Sequence, residues 1–422
     1  MKKLILKYKK SEFIKNVVIV MSGTAISQVI ALALTPILTR AYTPKDFGYY
    51  TTFIAIYAIL CSFVTGKYER AILLVRRERH IPVVSTLSLT ISLTFSVLLL
   101  LIVFIINELG ITFLSVSAQF YKWLYILPFF IFFYAINITL LTYLNYQKEY
   151  QKISTSRIIK TLVSIGSSLL FILCLKNMGG LILGEFIGLT VSTLYLFPKL
   201  RFLFQFDNYT FSLLPKFASR YKNFPRYNIP GDLLSNISNQ LPVFFLTSSY
   251  GTNVTGQYSL MKRVLDAPVL LISSSILEVF REQASKLYIE QGNCRELFVK
   301  TAKNLTLISL IPFSFLFVWG TDIFVFFFGK EWYEAGMYAS IFAVLYFFRF
   351  ISSPLSYMFY IAEKQQIDFI IQFYMFISTF VIFYLSNHTT FTIIHTLWLY
   401  TLNFVIIYVV YFMLSYKFTK KV

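Results

Sequence analysis

The chain has 422 residues, of which 57% are hydrophobic and 14% charged, and its 38 lysines and arginines against 19 acids give a net charge of +19. A soluble domain carries about 25% charged residues, so a globule of this length cannot enclose these side chains, and a mean hydropathy of +0.67 points to lipid as the solvent. Composition therefore excludes a soluble globule. The basic excess reads as membrane orientation rather than nucleic-acid binding.

In chain order, residues 1–15 hold six lysines. The first predicted membrane helix spans 13–38, too long for the apolar region of a signal peptide and without a small-residue cleavage site. A short loop with the turn signal Thr43-Pro44 precedes a second helix at 48–66, and a basic loop, 67–80, leads to a third at 81–106. Further helices are expected at 120–144, 158–175 and 178–197. The longest polar interruption, 198–228, contains Pro215, Pro225 and six basic residues and reads as a linker. After it come helices at 229–250 and 256–277, the latter extending in water through 278–290, where Glu282 and Lys286 stand four apart. A helix at 301–320, an outer segment at 321–335, and helices at 336–362, 367–385 and 391–414 complete the chain.

Twelve spans place both termini on one side. Of the 38 basic residues, 30 fall in segments assigned to the terminal side and five to the other, so the positive-inside rule predicts cytoplasmic termini. The expected fold is an all-α polytopic membrane protein of about twelve transmembrane helices. They form two six-helix lobes, 1–197 and 229–422, joined by a cytoplasmic linker at 198–228, with a pseudo-twofold axis along the membrane normal.

The lobes are suggested by an internal repeat. Shifting the sequence by 208 positions brings Gly23, Ser27, Leu38, Thr39, Tyr42, Gly48 and Tyr50 onto Gly231, Ser235, Leu246, Thr247, Tyr250, Gly256 and Tyr258. Thr24, Ser27 and Gln28 meet Asp232, Ser235 and Asn236, on one helical face in each copy. Each copy also carries a proline, Pro36 and Pro242, and paired proline-interrupted segments in two halves mark a transporter's substrate path.

A charge at the centre of a membrane helix costs roughly 2.5–3.5 kcal/mol and usually faces a cavity. Arg349 lies midway along its predicted helix, before Ser352, Ser353 and Pro354; it is a substrate-path candidate, or else the partner of an acid on a neighbouring helix. Lys262, Arg263 and Asp266 are spaced to pair on one face, or to snorkel outward. Asp232, Ser235, Asn236 and Asn239 form a polar stripe that reads as a water-facing wall rather than interhelical glue. Asp232, Glu185 and Asp266 are the carboxylates available for ion or proton coupling, though Asp232 lies near a helix end where solvation alone accounts for it. Arg40 and Glu69 flank helix ends.

Signals for catalysis are weak. His80, His388 and His395 show no zinc spacing, and no Walker A sequence occurs, so no metal and no cofactor is expected. Cys61, Cys174 and Cys294 have no nearby cysteine partner and indicate neither a disulfide framework nor a CxxC site.

The run SGTAISQVIALALTPILTRAYTPKDFGYYT, with Pro36, Arg40, Tyr42, Thr43-Pro44 and Phe47-Gly48, resembles the first helix, outer loop and second-helix start of Wzx-type oligosaccharide flippases. These belong to the multidrug/oligosaccharidyl-lipid/polysaccharide exporter superfamily. KYERAILL at 67–74 and FGKEWYEAG at 328–336 are similar too. The resemblance implies a protein of the bacterial inner membrane that moves an undecaprenyl-diphosphate-linked oligosaccharide, such as an O-antigen or capsule unit, from inner to outer leaflet by alternating access. It implies a cationic cavity in which Arg349, Arg263, Lys262 and Arg40 attract the diphosphate, while Gln28, Asn236 and Asn239 contact sugars. The partners implied are the lipid-linked oligosaccharide, membrane lipids, a polysaccharide polymerase and a chain-length regulator, with no nucleic acid. Ion-gradient coupling is implied as well, with no coupling residue fixed by motif.

Three alternatives stand beside this reading. One is a drug or peptidoglycan-precursor exporter of the same superfamily. Another is a membrane polymerase or ligase acting on the same lipid-linked sugars, which would need a large outer loop that the sequence lacks. The third is a non-transporting scaffold, against which intramembrane Arg349 argues.

Overall fold

In the computed structural model, the backbone is described for residues 2–421 other than 76, 115, 176, 205, 389 and 390, and side chains from residue 22 onward other than those of 199–201 and 274. The described residues are almost wholly helical, and eight helices among them are long and apolar enough to cross a membrane. Helices satisfy their own backbone groups without water, which is the requirement hydrocarbon imposes. The chain is an all-α polytopic membrane protein.

By contacts the chain divides into two compact units: Met1–Tyr42 with Tyr49–Ser248, and Thr43–Gly48 with Ser249–Val422. The helices met along the first part of the chain are α1 (Lys2–Ala41), α2 (Pro44–Leu60), α3 (Ile81–Glu108), α4 (Ala118–Trp123), α5 (Leu127–Tyr146), α6 (Tyr150–Phe171), α7 (Met178–Leu200) and α8 (Asn208–Arg220). The long α9 (Ile229–Gln291) follows, and breaks at Gly251, whose φ of 86° and ψ of 172° are open to glycine alone at little cost. The remainder comprises α10 (Arg295–Phe328), α11 (Tyr333–Leu355), α12 (Met358–Ile361), α13 (Gln365–His388) and α14 (Ile393–Lys417).

Three expectations need correction. The second helix, predicted to reach residue 66, ends at Leu60; Gly66 and Lys67 both take positive φ, and the buried segment around Val64, Ala71 and Ile72 continues as turns and a 3-10 helix, Tyr68–Leu74. Apolar content predicted burial there, and burial was achieved without a helix. The outer segment 321–335 is not a loop: α10 continues through an aromatic run to Phe328, bent at Trp319, and Gly329 with φ of 106° ends it. The interruption 198–228 contains α8, which has a proline at Pro215, and a π-helical stretch, Phe224–Asn228.

In the first unit, α6 and α7 approach closely because Gly184 and Gly188 face the backbone of α6. A Cβ on Gly188 would lie 2.6 Å from the Lys160 carbonyl oxygen, and one on Gly184 would lie 2.7 Å from that of Ser164. Small residues permit such contact where lipid offers helices no hydrophobic reason to associate. Phe53, Phe120 and Phe130 fill an aromatic core between α2, α4, α5 and α7. In the second unit, buried Gln257 fastens the turn after α10, donating to the Glu331 carbonyl at 2.6 Å and accepting from the Ala335 amide at 3.0 Å.

The repeat has structural content. The Tyr42 hydroxyl donates to the Ser168 carbonyl on α6 at 2.5 Å, and its equivalent Tyr250 bonds Ser386 of α13 at 2.5 Å and Thr396 of α14 at 2.9 Å. Gly48 and Gly256 pack reciprocally within the second unit. A Cβ on Gly48 would fall 1.7 Å from the Thr252 carbonyl oxygen, and one on Gly256 would fall 1.7 Å from that of Pro44. Since Thr252 is the 208-residue equivalent of Pro44, each copy offers the other the same surface, as in a twofold contact.

Candidate functional site

Among the described residues, ion pairs that link one segment to another lie in three places. In the second unit, α9 beyond Gly251 carries Lys262 and Asp266, and α11 carries Tyr346 and Arg349. Asp266 Oδ1 accepts from the Tyr346 hydroxyl at 2.8 Å and from Arg349 Nη1 at 2.9 Å, while Oδ2 accepts from Lys262 Nζ at 3.0 Å. Arg349 is therefore paired with an acid on a neighbouring helix, the structural reading its sequence position allowed. The pairing leaves the group of three with one net positive charge. The guanidinium carbon also lies 5.2 Å from the Tyr346 ring centre, and Tyr400 and Tyr408 of α14 are within its electrostatic reach. Ser352, one turn on, donates to the Tyr408 carbonyl at 2.9 Å and ties α11 to α14. Arg263 turns away, its guanidinium 6.0 Å from the Phe47 ring.

In the first unit, Glu185 of α7 accepts from Lys160 Nζ at 2.8 Å and from Ser164 Oγ at 2.8 Å, both on α6. The close approach that Gly184 and Gly188 allow sets these distances. One turn earlier, Arg157 donates to Thr24 on α1.

The third cluster, also in the first unit, lies where the turn after α2 meets the start of α9. Asp232 Oδ2 accepts from Lys67 Nζ at 2.9 Å and Arg70 Nη2 at 2.6 Å. Lys67 adopts a left-handed conformation, φ 60° and ψ 14°, supported by its amide on Thr65 Oγ1 and by its ammonium on the Cys61 carbonyl. A non-glycine residue held there is uncommon and marks a site the surroundings over-determine. Asn236 donates to Ser62 at 2.9 Å, whereas exposed Asn239 bonds only its own helix, at the Ser235 carbonyl. Gln28 is half-buried on α1, and Arg40 is exposed in its last turn.

The structure thus brings together Arg349, Lys262 and Asp266, and separately Asp232 with Asn236. It does not join Arg40, Gln28 or Arg263 to either group. Residues the sequence reading passed over are Tyr346, Tyr400 and Tyr408 around Arg349, Lys160 opposite Glu185, and the pairing of Lys67 and Arg70 with Asp232. Tyr346 precedes Arg349 by three and Tyr400, Phe404 and Tyr408 recur every four residues, a helical spacing that the high aromatic content concealed. Among the described residues, no group of three or more His, Cys, Asp or Glu side chains is placed to hold a metal ion.

Residues 37–337 match the family model described as polysaccharide biosynthesis protein. No curated protein matches the sequence. Among solved structures, the chain is similar to the lipid II flippase MurJ in an inward closed conformation, with a TM-score of 0.72, 15% identity, and coverage of 95% of this chain and 87% of that one. It is similar to an inward-facing multidrug resistance MATE family transporter of the MOP superfamily, with a TM-score of 0.64, 15% identity, and 93% of each chain covered. A MOP superfamily transporter from Pyrococcus furiosus, described as having a binding pocket of reverse polarity, gives a TM-score of 0.60 at 16% identity over 95% of this chain and 93% of that one. At such identities the likeness establishes the fold.

Proposed function

From the premise that this chain belongs to the polysaccharide biosynthesis protein family, and with a fold shared by MATE transporters and MurJ, we propose that it is a flippase for a prenyl-diphosphate-linked oligosaccharide, an O-antigen or capsule unit. The single observation that carries the reading is the group of Lys262, Asp266 and Arg349, the last within the candidate span Lys330–Ile361, which retains one net positive charge beside the rings of Tyr346, Tyr400 and Tyr408. A diphosphate calls for bidentate cations, which arginine supplies, and sugars stack on aromatic faces. Arg263 and Arg40, which are not joined to this group here, are proposed as further phosphate contacts, and Gln28, Asn236 and Asn239 as amides for sugar hydroxyls. Substrate binding draws Arg349 from Asp266 toward the phosphates, leaving Lys262 as the one charged partner of Asp266 and its Oδ1 open to a coupling ion. Glu185 and Asp232, each held by lysine in the first unit, serve the same purpose.

In this account two six-helix lobes, 1–197 and 229–422, alternate access about the linker 198–228, in a bacterial inner membrane with both termini cytoplasmic. The internal repeat and the distribution of basic residues support this arrangement. A polymerase and a chain-length regulator would then receive the product.

Reconstitution tests the proposal. Liposomes are loaded with a prenyl-diphosphate oligosaccharide, and a sugar-specific probe added outside reads its leaflet. Protein-dependent exposure of the inner pool, lost in Arg349→Ala with insertion retained, is expected; equal exposure with and without protein overturns it. A second reading, transport of lipid II, is favoured by the likeness to MurJ, and exposure of lipid II but of no other oligosaccharide would select it.

A further inference from the structure

The helix α8 lies outside the membrane spans, yet it is neither evenly polar nor covered. Asp207 caps it by accepting from the Thr210 amide at 3.0 Å. One face, carrying Thr210, Leu213, Leu214, Phe217 and Tyr221, packs against α3 and the 3-10 segment before it. The Phe217 ring meets His80 edge-on with centroids 5.2 Å apart, and the Tyr68 hydroxyl donates to the Ala218 carbonyl at 3.1 Å. His80 stands at the entrance of the span Glu78–Glu108. These contacts hold α8 against the Glu78 end of α3.

In that position α8 and its flanks present aromatic rings outward: Phe202, Phe206, Tyr209, Phe211 and Tyr227 are 45–62% exposed. Five large exposed rings in one short segment are a liability in water and ordinary at a bilayer interface. Beside them is a field of cations. Arg77, Arg79, Lys216 and Arg220 all act electrostatically on the same His80 imidazole, and all four are exposed. Among the described ion pairs none involves them. Glu78 accepts from the Tyr146 hydroxyl and Asp207 caps the helix, and the four cations outnumber these two carboxylates. Tyr209, Lys216 and Arg220 recur at spacings of seven and four on one flank of α8, with Phe211 on the other.

We propose that α8 lies in the headgroup layer of the leaflet at the Glu78 end of α3, and that Arg77, Arg79, Lys216 and Arg220 form a binding surface for anionic phospholipid headgroups. A helix with aromatic and basic exposed groups at interfacial depth binds by apolar burial plus attraction to anionic lipid. Arginine matches the phosphate oxygens with paired donors. The surface also anchors the segment leading into α9, because Tyr221 and Phe224 continue the packing of α8 up to the start of that helix. The inference does not depend on what the protein transports.

The test uses the full chain in nanodiscs of phosphatidylcholine, alone or with phosphatidylglycerol. In the variant Phe211→Trp, fluorescence gained over the parent reports the position of α8, and brominated lipids quench it if the ring lies in the bilayer. Quenching by both brominated lipids is expected, stronger with phosphatidylglycerol. In Lys216→Gln/Arg220→Gln the excess is lost while quenching by phosphatidylcholine remains; Lys216→Arg/Arg220→Lys restores it. The charge-matched change Lys417→Gln/Lys420→Gln leaves it intact. No quenching by either lipid, or an excess that survives neutralisation, overturns the proposal. So does loss of the excess on adding inorganic diphosphate at constant ionic strength, which would assign the surface to a free or substrate phosphate instead.

Discussion

Asp266→Asn removes the counter-charge of two cations and changes little in shape, so its effect can be worked from the distances. The carboxylate receives three donors at 2.8–3.0 Å, two of them charged. Breaking a fully buried pair from one side costs about 3–5 kcal/mol. Here the side chains of Asp266, Arg349 and Lys262 remain 22%, 30% and 38% exposed, and solvent screening lowers the expected loss to about 2 kcal/mol. The sign of the double variant is the sharper prediction. Arg349→Gln alone leaves Asp266 with Lys262, a mild loss. In Asp266→Asn/Arg349→Gln one of the two stranded cations is gone, so the double variant is more stable than Asp266→Asn alone, with a coupling energy of about 1–2 kcal/mol. Reversible unfolding in mixed detergent micelles measures all four proteins. Additive single effects, or a double variant less stable than either single, would refute the reasoning.

Three other outcomes follow from separate features. Gly48→Ala places a methyl 1.7 Å from a backbone carbonyl that no rotamer can move aside; it should cost about 1–3 kcal/mol, with a similar loss for Gly256→Ala, and unchanged thermal midpoints in both would contradict the reciprocal contact. Of the three cysteines only Cys174 is exposed, Cys61 and Cys294 are buried, and burial pushes the Cys294 thiol up to about 11; maleimide at neutral pH should modify one thiol per native chain and three after unfolding, as read by mass. The Thr210 hydroxyl and amide beside Asp207 hold its carboxyl below the ordinary value. Because the folded value is depressed, the cap stabilises α8 above the unfolded pKa of about 3.9 and the effect disappears as pH falls through the folded value. Hydrogen exchange should show wild-type α8 better protected than Asp207→Ala at neutral pH and equal to it in strong acid; a constant difference would rule the cap out.

The membrane spans were legible because lipid imposes one rule on every segment, and apolar length located them; the helical continuation through 278–290 was read from the spacing of Glu282 and Lys286. The break at Gly251 falls between the two helices expected at 229–250 and 256–277. What hydropathy could not give was the state of apolar residues that are buried without being helical. Residues 61–66 read as helix, yet the helix stops at Leu60 and the chain turns, with positive φ at Gly66 and Lys67. The aromatic run 323–328 read as an outer segment although it continues α10. At the candidate site, the i, i+4 pair of Lys262 and Asp266 was visible in the spacing. The link from Asp266 to Arg349 spans 83 residues and depends on how α9 packs against α11, which no local pattern carries. The tyrosines at 42 and 250 were visible as a repeat; that Tyr42 bonds α6 and Tyr250 bonds α13 and α14 needed coordinates.

The leaflet in which lipid-linked oligosaccharide accumulates when the protein is removed tests the proposed translocation most directly. Deleting it in the native bacterium and applying a sugar-specific probe to spheroplasts and to inverted membrane vesicles would measure this. Complete repeat units confined to the cytoplasmic face are the predicted result. Single units that reach the outer leaflet and remain unpolymerised would contradict translocation and indicate a later step in assembly.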